Sequence, residues 1–233
     1  MNRSLIKTMT LLLLIGMIFI TVQTWAQPRQ GAPLIVIDPG HGGADWGVKL
    51  TDRYQEKDAT LAIASLLQKE LIRAGSVQVR LTRDADRLLT TSERRKAIRA
   101  LQPVLLISLH VNGGFGKHSS GYEVYFPGFR TNGSEQENSA EILKNMARNK
   151  YLNDSVRLAQ SLQRNLDGVF PRKGRGLREA PVPILEGLTL PAVVMEIGFA
   201  TNSEERAKIM DEKTQRAVAA ALSKAVQEYL SGR

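Results

Sequence analysis

Cysteine is absent from the 233 residues. That excludes disulfides, thiolate metal sites and a cysteine nucleophile. Histidine is scarce, with three residues at His41, His110 and His118. The one-helix zinc signature H-E-x-x-H does not occur, nor does the G-x-S-x-G elbow of serine hydrolases. The glycine-rich stretch "DPGHGG" (38–43) does not follow the dinucleotide pattern G-x-G-x-x-G. There is no internal repeat and no low-complexity linker. Stability must come from an apolar core, which a chain that is 42% hydrophobic can build.

Residues 1–26 differ from the rest. Arg3 and Lys7 precede the apolar run "MTLLLLIGMIFITV", and "QTWAQP" follows, with Ala26 as the residue before a cleavage point. This is the order of a secretory signal peptide. The run is shorter than the roughly 20 residues of a membrane span. Taken from Leu5 to Trp25, it could also act as an uncleaved anchor. Residues 27–33 read as a short linker, and 34–233 as a single domain working outside the cytoplasm. The net charge of +9 suits an anionic wall polymer or a membrane surface, or is simply a solvated basic surface. An exported chain is not expected to bind nucleic acid.

Apolar patterning places the elements. "PLIVID" (33–38) is a buried strand stopped by Asp-Pro-Gly. Residues 56–75 have helical periodicity and end at Gly75. "VQVRLTR" (77–83) alternates as a strand, and 90–101 reads as a helix with an exposed, charged face. "PVLLISLH" (103–110) has the continuous apolar character of a central parallel strand. "YEVYF" (122–126) is a further strand. Residues 127–153 are polar, with a helix near "SAEILKNMA", and 155–170 form an amphipathic helix. "PRKGRGLR" (171–178) reads as a basic loop. "PILEG" and "PAVVMEIGF" hold the last strands. The remainder is helical, with a break near Asp211. The alternation predicts an α/β fold, a mostly parallel central sheet of about six strands with helices on both faces.

In such a sheet, ligands bind beyond the C-terminal ends of the strands. His41, His110 and Glu196 all fall at such ends. Glu56 opens the first helix just after the loop of His41. Each has an ordinary alternative: a loop histidine, a first-turn acid favoured by the helix dipole, or a carboxylate paired with arginine. His118, in "GKHSSG", reads as solvated. Glu196 is the sharpest signal, because an ionised carboxylate in "AVVMEIGF" costs several kcal/mol unless it is paired or bound. Two imidazoles and one carboxylate make a catalytic zinc set. Taken together, the residues suggest an exported α/β zinc hydrolase.

Five blocks carry a more specific signal: "IVIDPGHGGAD", "EKDATLAIA", "VRLTRDAD", "LLISLHVN" and "PAVVMEIGFATNSEE". In order and spacing they resemble the zinc-dependent N-acetylmuramoyl-L-alanine amidases of the amidase-3 type, from Leu34 to the C-terminus. The resemblance implies one Zn2+ on His41, Glu56 and His110, with Glu196 as the catalytic acid/base. It also implies peptidoglycan as substrate, cut between the lactyl group of N-acetylmuramic acid and L-alanine. Asn112 and Asn202 match family positions as substrate contacts or local structure. Ile98-Arg99 departs from the family's Ala-Asn. In some relatives a helix within the region matching 127–153 blocks the zinc until an activator protein moves it, and Glu135, Glu137 and Glu141 lie here. The basic loop Arg172–Arg178 could hold an anionic glycan or peptide carboxylate. The chain is expected to act as a monomer. Another zinc peptidase or deacetylase, or a non-catalytic wall-binding protein, are the rival readings.

Overall fold

The computed structural model describes residues 31–75, 77–114, 116–128, 139–170 and 176–232. The expected export segment 1–26 lies outside the described residues, as do 27–30 of the linker. Among the described residues, no helix is long and apolar enough to cross a membrane.

The elements in chain order are β1 (Leu34–Pro39), α1 (Glu56–Ala74), β2 (Gln78–Leu81), α2 (Thr91–Leu101), β3 (Leu105–Asn112), β4 (Tyr122–Phe126), α3 (Ser139–Leu166), β5 (Gly176–Glu179), β6 (Ala192–Phe199), α4 (Ser203–Met210) and α5 (Glu212–Ser231). The strand order across the sheet is β2-β1-β3-β6-β4-β5. The first four run parallel. β4 lies antiparallel to β6, and β5 runs parallel to β4. This is the expected α/β architecture with a mostly parallel sheet.

The continuous apolar runs of β1, β3 and β6 exist because these central strands are covered on both faces. Ile35, Ile37, Leu105, Ile107, Val193 and Met195 point into the larger core, which α1, α3 and α5 complete. Val36, Leu106, Ala192 and Val194 face the smaller core, with Ile98 of α2. The helix ends follow local chemistry. Gly75 ends α1 in the left-handed conformation, φ 81°. Thr90 and Glu93 form a capping box that starts α2. Asp211 ends α4 and caps α5.

Two elements differ from expectation. "PILEG" is not a strand: Pro183–Leu185 forms a single 3-10 turn. Proline has no N–H for a ladder, and its fixed φ suits the start of a helical turn. The fifth strand is instead Gly176–Glu179, at the end of the segment expected to be a basic loop. It is an edge strand bonded only to β4, so an apolar run is not required there. Second, α3 is one helix of 28 residues in place of a helix near "SAEILKNMA" and another from 155. No glycine or proline interrupts it. Glu135 and Glu137 lie outside the described residues, and Glu141 falls in α3.

Asp38, the penultimate residue of β1, is buried and ties the strands together. It accepts from Thr82 Oγ1 at 2.5 Å, Ser108 Oγ at 2.7 Å and Arg94 Nη1 at 2.7 Å. Burial alone would raise its carboxyl, but the Arg94 charge and these donors hold it below the usual carboxylate range. Arg94 also donates to Pro39 O at 2.7 Å and His41 O at 2.6 Å. Arg83, buried as well, donates to Pro39 O at 3.1 Å and Gly40 O at 2.8 Å. The carbonyls of the loop after β1 are thereby satisfied by two arginines. Arg94→Met should cost about 3–5 kcal/mol, because it leaves Asp38 buried and uncompensated. Urea unfolding reads this, and a loss under about 1 kcal/mol would contradict the pairing.

Candidate metal centre

The loop after β1 brings His41 to the rim of the sheet with φ 60°. Such a backbone is rare for a residue with a Cβ, and here the Arg94 contact to His41 O holds it. Glu56 enters from the first turn of α1 and His110 from the end of β3. One ligand atom from each of His41, Glu56 and His110 lies within 4.8 Å of the others. Glu56 Oε1 stands 3.0 Å from His41 Nε2 and 3.0 Å from His110 Nδ1. It also accepts from Val111 N at 3.0 Å, while Oε2 accepts from Val48 N at 2.8 Å.

Two glycines make this approach sterically feasible. A Cβ on Gly40 would collide with the imidazole of His110. A Cβ on Gly47, where φ is 65°, would strike Glu56 Oε2 and stand 2.7 Å from His41 Cδ2. The loop is glycine-rich because the side chains of the site fill that space.

His41 Nδ1 donates to Asp45 Oδ1 at 2.8 Å. That bond orients the ring and directs Nε2 toward Glu56. Burial pushes the His41 imidazole down, but Glu56 and Asp45 overcome it and raise it to about 9. Burial likewise pushes Glu56 up, and the two histidines outweigh it, bringing the carboxyl down to about 2. The pocket therefore favours positive charge. Two imidazole nitrogens and a carboxylate, without sulfur, are a donor set fit for a divalent cation of the zinc type.

Glu196 lies next in the row. The register pairs His110 with Glu196, and Glu196 with Glu123 of β4. Glu196 Oε2 is buried and has no hydrogen-bond partner, so the arginine pairing considered for it does not occur at that oxygen. Burial raises its carboxyl to about 7, against the pull of His110, with Glu56 and Glu123 adding to the rise. A group near 7 can both accept and release a proton at neutral pH.

The family described as N-acetylmuramoyl-L-alanine amidase matches residues 35–228. The chain belongs to that family. YqiI of Bacillus subtilis is 31% identical over 204 residues, spanning 88% of this chain and 87% of its own. An N-acetylmuramoyl-L-alanine amidase of Clostridium difficile 630 superposes with a TM-score of 0.71 at 28% identity, covering 87% of this chain and 98% of that one. The CwlD amidase of Clostridioides difficile, solved in complex with the GerS lipoprotein, gives 0.69 at 25% identity, covering 86% and 100%.

Of the remaining residues singled out in this amidase, His118 is exposed. Asn202 caps α4, accepting from Glu204 N at 3.0 Å and Glu205 N at 3.2 Å. Asn112 lies on the site's rim, where its Nδ2 donates to Glu123 Oε2 at 2.8 Å and its Oδ1 accepts from Gly114 N at 2.7 Å. Arg172 lies outside the described residues, and Arg178 falls in β5.

Sequence reasoning missed Asp45, Glu123 and Tyr125. Glu123 is buried and accepts from Tyr125 OH at 2.7 Å as well as from Asn112. Burial and the Glu123 carboxylate push the Tyr125 hydroxyl up to about 12. The usable signal was an acid inside a strand, the same signal that marked Glu196. Asp45 had only its place four residues after His41.

A cation must displace the proton that His41 holds below about pH 9. Zinc affinity should therefore climb as pH rises from 6 toward 9, with protons released on binding. Competition titrations at several pH values measure this, and a flat profile would contradict it. Asp45→Asn should weaken zinc binding by roughly 10–100-fold, because the ring loses its orienting carboxylate.

Proposed function

We propose that His41, Glu56 and His110 hold one Zn2+, and that this amidase cleaves peptidoglycan between the lactyl group of N-acetylmuramic acid and L-alanine. The observation that carries the reading is the meeting of these three donors beside Glu196, whose Oε2 is buried and without a partner. Zinc, when bound, supplies Lewis-acid chemistry and brings the pKa of a water toward roughly 7. Glu196 accepts a proton from the attacking water as its oxygen bonds to the lactyl carbonyl carbon. It then passes that proton to the alanine nitrogen as the C–N bond breaks. The products are a lactyl carboxylate on the glycan and a stem peptide with a free amino end. Asn112 borders the substrate at the end of β3.

The same reading assigns residues 1–26 to export, 27–33 to a linker and 34–233 to the catalytic domain. The enzyme then works in the periplasm or wall space as a monomer, where its basic charge meets anionic wall polymer. The GerS lipoprotein beside CwlD supports an activator protein as a partner. Glu196→Gln should retain zinc and lose turnover by about 10²–10⁴-fold. Metal content and cleavage of a defined muropeptide are measured side by side. A variant that turns over at the native rate would refute the role.

A further inference from the structure

Four large apolar side chains are exposed among the described residues: Trp46, Ile72, Leu88 and Leu101. Ile72 and Leu101 lie in the last turns of α1 and α2. In a parallel α/β unit those turns sit at the edge of the sheet away from the ligand site. Trp46 and Leu88 border the loop that carries His41. A Cβ on Gly43 would stand 2.7 Å from Leu88 N.

Trp46 is 60% exposed on a backbone that is pinned on both sides. Its carbonyl accepts from Lys57 N at 3.3 Å. Asp45 before it exchanges backbone hydrogen bonds with Gly42 at 2.8 and 3.2 Å. Gly47 after it lies against Glu56 and His41, and Val48 N donates to Glu56 Oε2. Neighbouring Cα atoms are about 3.8 Å apart, so the indole starts one Cα step from Gly47, the residue that packs against Glu56 and His41. A rigid aromatic face left open beside a reaction centre is suited to stacking.

The proposed reaction decides what would lie on that face. The leaving nitrogen must meet Glu196 on β6, so the peptide extends over β6 and β4. The acyl side then points the other way, over β3 and the loop after β1. The amino sugar hangs on that side, one ether link from the lactyl group. A pyranose ring carries C–H groups on its face, which pack against an aromatic ring.

We propose that Trp46 is a specificity-determining residue, a stacking platform for the N-acetylmuramic acid ring of the substrate. The proposal rests on the amidase reading above. Trp46 selects glycan-attached stem peptides over peptides that lack the sugar.

The chain has two tryptophans, Trp25 and Trp46, so Trp25→Phe leaves one indole, at the site. In the full chain carrying Trp25→Phe and Glu196→Gln, a disaccharide-peptide should change the indole emission, and the matching free stem peptide should not. In the otherwise native enzyme, Trp46→Ala should raise KM for the disaccharide-peptide by about tenfold. Its KM for a lactyl-peptide without the sugar should stay unchanged, as should its melting temperature and zinc content. Trp46→Tyr should recover most of the loss. An equal KM change for both substrates, or an emission change with free peptide alone, would overturn the platform. Failure of the amidase reading looks different: the native enzyme would then leave the disaccharide-peptide uncut.

Discussion

The buried carboxylate of Asp38 sits near the C-terminal end of β1, just before the strand gives way to the loop of His41. Its partners come from the residue after β2, from α2 and from β3, so one charge fastens three neighbouring segments to β1. Arg94 completes the arrangement by reaching past Asp38 to the carbonyls of Pro39 and His41. A buried ion pair adds little net stability over an apolar core. Its value here is geometric, since it sets the position of His41 to within a hydrogen bond.

Three glutamates meet near the site, Glu56 from α1, Glu123 from β4 and Glu196 from β6, and their surroundings differ. Glu56 receives two imidazoles and two backbone N–H groups and stays ionised. Glu123 accepts from Asn112 Nδ2 and from Tyr125 OH. Glu196 pairs in register with His110 on one side and Glu123 on the other. Its Oε2 is buried and unpartnered, and burial raises its carboxyl to about 7. Burial and neighbouring charges thus separate the proton affinities of Glu56 and Glu196, the separation that a ligand and an acid/base require.

Much of this was legible in the residues. Buried parallel strands must be apolar throughout, so β1, β3 and β6 stood out. A histidine among turn formers and a glutamate inside "AVVMEIGF" stood out against that background for the same reason. Gly176–Glu179, at the end of the expected basic loop, did not read as a strand, because an edge strand needs no apolar pattern. The "exposed" face of α2 concealed Arg94, since periodicity cannot distinguish a solvated arginine from one buried on carbonyls. Glu123 passed as an ordinary strand residue, because its meaning depends on β4 lying antiparallel beside β6. That pairing joins segments far apart in the chain.

The central claim is that one cation on His41, Glu56 and His110 supports hydrolysis of the lactyl–alanine bond. The most direct measurement is digestion of purified sacculi by the full-length protein, zinc-loaded or stripped with a chelator, with products read by mass spectrometry. The account requires intact stem peptides with a free L-alanine amino end, released only by the zinc-loaded protein and again after zinc is restored. Cleavage within the peptide or the glycan, or undiminished release after chelation, would contradict it.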